Sequence, residues 1–408
     1  MKYKKLVFFS YHYPPDQSAG AYRAEEITKK FLDEDPNLKI WVLTSRPNRY
    51  IKLKNIYSQK NRNLKIIRFW VPYLGLGHRN RSIAYLFYFL QSVPKAIFIR
   101  PNIILATSAK LLTSFAATCA AKLSFAKLFI DYRDTLSDNY FYLYRWTNRI
   151  FLHIFIVWIE NIVFKTAYSI NIVSYGFKDI FLGLENHLKK NMVKFTYFTN
   201  GIKDEYRNTI IKRCRRRNNL QKTYNVVYAG NLGDGQDILG LLEDLFKKQK
   251  NIEYFLKNDI CLNLFGSGPQ EKKIKEIIQN NQNFGSDEVV KFIGLIKKED
   301  MPKIYEKADC LFLQLAKGQS LSMVIPSKIF EYSATNYPIL FAASGFTKEF
   351  IEQVNGSLYF EQNNSTSFIK ALKKSRKIKV NYDSRTKFLR RFNTNQIFEK
   401  YVKHILNS

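Results

Sequence analysis

The chain has 408 residues, 46% hydrophobic and 15% aromatic, with 65 Lys plus Arg against 34 Asp plus Glu for a formal charge of +31. That length allows two domains, each with its own core, and that composition excludes a disordered chain. The charge favours polyanionic partners, but there is no zinc-ligand spacing, no RNP-type aromatic motif and no single basic stripe, so nucleic acid is not the expected partner.

The N-terminus, "MKYKKLVFFSYHYPPD", begins basic and then apolar, as a signal peptide would. Its apolar run ends at His12 and two prolines, so it is expected to be a first buried strand of a cytoplasmic protein. Further β-rich runs follow at 39–45, 64–70, 102–108, 127–133 and 168–174. They are nearly continuous in apolar residues, the mark of a parallel sheet covered on both faces. Four cysteines, Cys119, Cys214, Cys261 and Cys310, are far apart and form no CxxC pair. That fits a reducing compartment and neither a disulfide scaffold nor a zinc site.

Two apolar stretches fall between these runs. "SIAYLFYFLQSVPKAIFI" (82–99) is interrupted by Gln91, Pro94 and Lys95, and "IFLHIFIVWIENIVF" (150–164) by His153, Glu160 and Asn161. Neither supplies the roughly 20 uninterrupted apolar residues of a spanning helix. Each is either a core helix or one lying at a bilayer surface. The first follows the basic "GHRNR", as an interfacial anchor would.

The region 204–223 is polar and basic and is expected to be a linker after a first domain of residues 1–203, its dense run "KRCRRR" (212–217) being either a solvated segment or a docking patch. A second strand-helix series begins at "YNVVYAG" (224–230) and continues through 260–266, 289–294, 309–315, 337–343 and 356–360, giving a second domain of 224–384. Two doubly wound α/β domains facing across a cleft are therefore predicted.

Several of these strands end in glycine. Gly20 follows the first, before a helix expected to begin near Tyr22; Gly230, Gly233 and Gly235 follow "VVYA", and Gly266 and Gly268 follow "LNLF". Each is either a plain turn or a place where backbone N–H groups approach a phosphate. In "IPSKIFEYSATNYPIL" (325–340), Lys328 falls in the first turn of a predicted helix, where the helix dipole disfavours a cation and an anionic ligand would be welcome. Glu331 lies one turn on. The other reading of this pair is a surface ion pair of about 0.2–0.5 kcal/mol, with Pro326 starting the helix.

Taken in order, "YHYPPDQSAGAYRAEE", "DYRDTLSD", "INIVSYGFKDIF", "FTNGI", "VVYAGNLG", "LNLFGSGP", "VKFIGLIKKEDMPKIYEKADCLFLQL" and "PSKIFEYSATNYPIL" resemble the retaining GT-B glycosyltransferases of family 4. The resemblance is strongest to the subgroup of amino-deoxysugar transferases that assemble O-antigen and capsule. It implies a GT-B fold, with a last helix at about 385–408 packing back on the first domain. It also implies a hexosyl transfer from a nucleotide sugar, UDP-linked in this subgroup, to a lipid-linked or growing glycan at the inner face of the cytoplasmic membrane. Neither a cofactor nor a metal is implied. No DxD pair ends a strand, and "DED" at 33–35 precedes Pro36 in a loop.

On this resemblance Glu331 would hold the ribose hydroxyls. Lys328, Ser327, Pro326, Asn231, Gly233 and Gly268 would face the nucleotide and its diphosphate, and Leu295 and Ile296 the base. Ser18, Ala19, Gly20 and Arg23 would form a loop toward diphosphate and acceptor. Arg133 and Asp134 would lie near the reacting sugar, although Asp134 also suits a plain helix cap. Two positions depart from the pattern: Met323 stands where many members have an acidic residue, and "GNLGDGQD" lacks the usual cation, for which Arg23 and Lys317 are the candidate replacements. The resemblance leaves two alternatives, a GT-B nucleotide-sugar epimerase and a membrane-associated GT-B scaffold without activity.

Overall fold

The strands are short runs of leucine, β-branched and aromatic residues, apolar on both faces because helices cover both sides of a parallel sheet. The computed structural model describes residues 4–16, 18–47, 61–72, 78–107, 111–133, 149–180, 194–215, 223–281 and 285–408. They form two compact units, Met1–Asn200 with Asn395–Ser408, and Gly201–Thr394.

The first unit holds β1 (Lys5–Phe9), β2 (Lys39–Ser45), β3 (Leu64–Phe69), β4 (Ile103–Thr107), β5 (Lys127–Tyr132), β6 (Ser169–Ile172) and β7 (Lys194–Tyr197). Their order is β3-β2-β1-β4-β5-β6-β7, with every pairing parallel. Its helices are α1 (Ala19–Glu34), α2 (His78–Ile99), α3 (Leu111–Ser124) and α4 (Arg149–Thr166). Strand β7 is the one the sequence did not announce. It is the last strand of its sheet, and its residues are exposed or half-buried, so it has no apolar run to betray it.

The second unit holds β8 (Tyr224–Ala229), β9 (Ile260–Phe265), β10 (Val290–Gly294), β11 (Cys310–Gln314), β12 (Ile339–Ala342) and β13 (Ser357–Tyr359). These are ordered β10-β9-β8-β11-β12-β13, again parallel throughout. Along β8 alternate residues enter two cores, Val227 and Ala229 on one face and Val226 and Tyr228 on the other, as a period of two requires. The helices are α5 (Asp204–Arg215), α6 (Ile238–Phe246), α7 (Gln249–Lys257), α8 (Glu271–Asn280), α9 (Ser286–Val289), α10 (Met301–Glu306), α11 (Lys328–Ser333), α12 (Gly345–Glu352), α13 (Ser365–Ser375) and α14 (Tyr382–Arg390).

Two expectations are corrected here. Residues 204–215, expected as linker, are helix α5, which packs on α10 and buries Ile210 and Cys214 in the second unit's core. The lysines and arginines around them masked this 3.6-residue spacing. The returning helix is shorter than expected: α14 stays in the second unit, with Phe388 and Leu389 in its core. Only α15 (Thr394–Leu406) joins the first unit's core, through Phe398, Tyr401, Val402 and Ile405. What retains α14 is Arg385, fully buried and donating to the carbonyls of Asn355 and Thr335, each at 2.8 Å.

In each sheet the strand order reverses once, at β1/β4 and at β8/β11. Loops at the carboxyl ends of such switch points are where open α/β sheets bind ligands.

Candidate active site

Helix α11 follows β11 in the second unit. Ile329, Phe330, Tyr332 and Ser333 are buried, which leaves Lys328 and Glu331 together on the remaining face. Lys328 Nζ lies 3.0 Å from Glu331 Oε2, with the two side chains 28% and 14% exposed. The Tyr305 hydroxyl, from α10, donates to the same oxygen at 2.6 Å, and Lys328 donates to that hydroxyl at 3.3 Å. Tyr206, from α5, donates to Oε2 at 3.4 Å. Burial alone would push the Glu331 carboxyl up, but Lys328, the Tyr305 bond and the charge of Lys298 together hold it below the usual carboxylate range. All of these bonds fall on Oε2; among the described residues Oε1 accepts none. A carboxylate fixed by one oxygen keeps the other for hydroxyl donors.

The glycine loops meet beside β8. Gly230 N donates to Phe265 O at 3.0 Å, Leu232 N to Ser267 O at 3.0 Å and Gly266 N to Gly294 O at 2.8 Å. Gly266 has φ +140°, and a Cβ there would overlap the Gly230 carbonyl, so the close approach of two chains explains this glycine. Gly233 accepts from Gln236 N and Asp237 N in a turn, and the Asn231 amide donates to Gln236 Oε1 at 2.7 Å. The end of β8 is tied to α11 as well, since Ala229 N donates to the Tyr332 hydroxyl at 3.0 Å. Asn231, Gly233, Gly266 and Gly268 are thereby brought together. Beyond Gly294, Leu295 is exposed and Ile296 packs against the core that holds α11. Pro326 and Ser327 precede α11, and the Ser327 side chain makes no cap bond.

Met323 follows a short turn at Ser320–Ser322, and the carbonyls of Leu321 within that turn and Val324 after it accept from the Thr347 hydroxyl. Lys317 is exposed after β11. It lines a cavity of about 390 Å3 with Asp244, Lys248, Tyr359 and Glu361, residues that take no part in the Lys328–Glu331 cluster.

In the first unit, Ser18 caps α1, its hydroxyl accepting from Ala21 N at 3.1 Å. The helix accordingly starts at Ala19, and Gly20 lies inside its first turn instead of before it. A Cβ on Gly20 would stand 2.7 Å from Arg133 Nη1, so the Arg133 guanidinium lies against the start of α1. Asp134 lies outside the described residues.

Arg23 corrects an expectation. Its Nε and Nη2 each donate at 2.8 Å to the two oxygens of Asp131, in a pair 1% and 0% exposed. It also donates to the carbonyls of Thr199 and Phe198 and to Asn200 Oδ1. Its charge and donors are engaged in the core, so it does not replace a missing diphosphate cation. Burial pushes the Asp131 carboxyl up, but Arg23 above all, with Arg133 and the Asn171 amide, brings it below the ordinary value.

Sequence reasoning missed Tyr305, Tyr206 and the pair His12–Asp16. His12 Nδ1 is 2.9 Å from Asp16 Oδ2, and Asp16 is almost fully buried beside the end of β1. The four-residue spacing of His12 and Asp16 around two prolines was a visible signal. Tyr305 carried none, since a tyrosine inside a short apolar helix looks the same whether its hydroxyl meets water or a carboxylate.

Residues 223–375 match the family described as Glycosyl transferases group 1. No curated protein matches the chain. Among solved structures, Anabaena HepE in complex with UDP and glucose is similar over 100% of both chains, with 12% identity and a TM-score of 0.68. The lipopolysaccharide outer core galactosyltransferase WaaB, in its apo form, is similar over 99% of both chains at 12% identity and TM-score 0.63. Sucrose-phosphate synthase from Thermosynechococcus elongatus covers 99% of this chain and 100% of its own at 12% identity and TM-score 0.71. The chain thus has the GT-B fold, two Rossmann-like units on parallel sheets, and residues 223–375 of its second unit match the group 1 glycosyl transferase family.

Proposed function

We propose that this protein is a retaining, metal-independent glycosyltransferase of family 4. In this reading it moves a hexosyl group from a UDP-sugar to a lipid-linked or growing glycan of O-antigen or capsule, at the inner face of the cytoplasmic membrane. The observation that carries the proposal is Glu331, held by Tyr305 and Lys328 through one oxygen with the other left for a ligand, inside the segment that matches the group 1 family. UDP is favoured because the HepE structures hold UDP or UDP-glucose.

In the second unit, Glu331 Oε1 accepts from the ribose hydroxyls. Lys328 moves from its ion pair toward the diphosphate, whose charge grows as the bond from the anomeric carbon to the phosphate oxygen breaks. The backbone at Pro326–Ser327, Asn231–Gly233 and Gly268 approaches the nucleotide and diphosphate, and Leu295 and Ile296 flank the base. In the first unit, Ser18, Ala19 and Gly20 serve the diphosphate and the acceptor, and Arg133 and Asp134 the reacting sugar. The acceptor hydroxyl bonds to the anomeric carbon, and its proton leaves with the diphosphate.

The test is transfer from a panel of UDP-sugars to a lipid-diphosphate-linked acceptor. Lys328→Ala and Glu331→Ala are expected to abolish transfer while circular dichroism stays unchanged. Near wild-type turnover in either variant would sink the proposal.

A further inference from the structure

Helices α2, α3 and α4 form one layer of the first unit, with α3 packed between the other two. A surface helix is normally apolar on its inner face and polar on its outer. Here the outer faces are apolar too. On α2, Tyr85, Tyr88 and Ala96 are buried, while Ile83, Leu86, Phe87 and Leu90 are exposed at spacings of three and four, and Phe98 is 79% exposed two turns further on. On α4, Ile159 and Val163 point inward, while Ile154, Phe155 and Trp158 are exposed, the last two rings stacked at 5.9 Å. Trp70, just after β3, is exposed with its ring 5.6 Å from Phe87. The stripe at the end of α3 is completed by Leu123 and by Phe125, 95% exposed. So large a set of outward apolar side chains on one layer marks an interaction surface.

The charge on these helices identifies the partner. Among the described side chains they carry Lys95, Lys122 and Lys165 against one acid, Glu160. Lys95 stands over the Phe98 ring at 5.2 Å, and exposed Lys122 adjoins Leu123. Aromatic rings interleaved with cations, nearly free of carboxylates, suit the boundary between anionic headgroups and acyl chains. A protein partner would gain nothing from such one-sided charge unless it were itself acidic. No helix among the described residues is long and apolar enough to cross a membrane, so the layer would lie on the surface.

We propose that the outer face of α2, α3 and α4, with Trp70, docks on an anionic bilayer. This deepens the membrane part of the reading above by naming the face, and adds α4 and Trp70 to the segment at 82–99. The experiment is sedimentation of the full chain with phosphatidylcholine vesicles, with and without about 30% of the anionic lipid phosphatidylglycerol. The wild type is expected to sediment with the anionic vesicles, and Leu90→Glu with Trp158→Glu to lower the partition coefficient at least tenfold. Both positions are exposed, and circular dichroism together with an unchanged UDP thermal shift verifies the fold. A second pair, Phe98→Ser with Phe125→Ser, changes no charge and is expected to weaken binding severalfold. No sedimentation of the wild type, equal binding by the glutamate variant, or a dimer in the ultracentrifuge that the same substitutions disperse without any vesicle binding would overturn the proposal. Since UDP stabilisation is read separately, loss of vesicle binding with the shift intact refutes the docking face alone. Vesicle binding without any nucleotide shift would instead refute the transferase reading.

Discussion

The Tyr305 hydroxyl donates to Glu331 Oε2 at 2.6 Å, shorter than the 3.0 Å contact between the same oxygen and Lys328. A phenol from α10 thus orients the carboxylate as directly as the lysine on its own helix does. Tyr305→Phe keeps the ring in the core and removes that bond. UDP affinity is expected to fall about 10–100-fold, the worth of one hydrogen bond to a charged group. Titration calorimetry reads it, and unchanged affinity would contradict the role given to Tyr305.

Arg23 is predicted to matter for stability. Its bidentate pair with Asp131 is fully buried, and removing one partner strands the other without a counter-charge. Arg23→Met is expected to cost about 3–5 kcal/mol, seen as a lower urea midpoint. A variant with wild-type stability and weakened nucleotide binding would restore Arg23 as a diphosphate ligand.

The same pair sets an acid limb. The Asp131 carboxyl is lowered in the folded chain, so its stabilisation is present in full above the unfolded value of about 3.9 and is lost as pH falls through the lower folded value. Urea midpoints measured from pH 6 down to pH 3 should therefore fall. Asp131→Asn is expected to begin less stable and to show a flatter limb. Parallel curves would contradict this assignment.

How much of this was legible in the sequence depends on which interactions are local. Runs such as "IILAT" and "CLFLQ" declare buried strands by themselves, and the glycines after β8 and β9 mark the loops that meet. Lys328 and Glu331 share one turn of helix, so their pairing was readable. The partners of Arg23 were not: Asp131 lies 108 residues away, and an arginine one turn into a helix looks like any surface cation until the sheet brings a carboxylate under it. Helix α5 was hidden because its basic residues outnumber the two it buries, Ile210 and Cys214.

Arg385 gives a further prediction. It is fully buried without a carboxylate partner among the described residues, and burial lowers its pKa to about 9. Its bonds go to backbone carbonyls, including those of Asn355 and Thr335. Arg385→Met removes the buried charge but leaves those carbonyls without donors, at a net cost of about 2 kcal/mol. Chemical denaturation measures it, and a variant as stable as the wild type would show that water takes over those carbonyls.

The nucleotide site at Glu331 is tested by thermal stabilisation of the purified chain by UDP, GDP and ADP, with Glu331→Ala measured alongside. A ligand at a hundred times its Kd stabilises by about 2.7 kcal/mol, a rise of several degrees. Such a shift is expected with UDP, smaller or none with GDP and ADP, and it is expected to be lost in the Glu331→Ala variant. No shift with any of the three at millimolar concentration, or a UDP shift that survives in Glu331→Ala, would contradict that site.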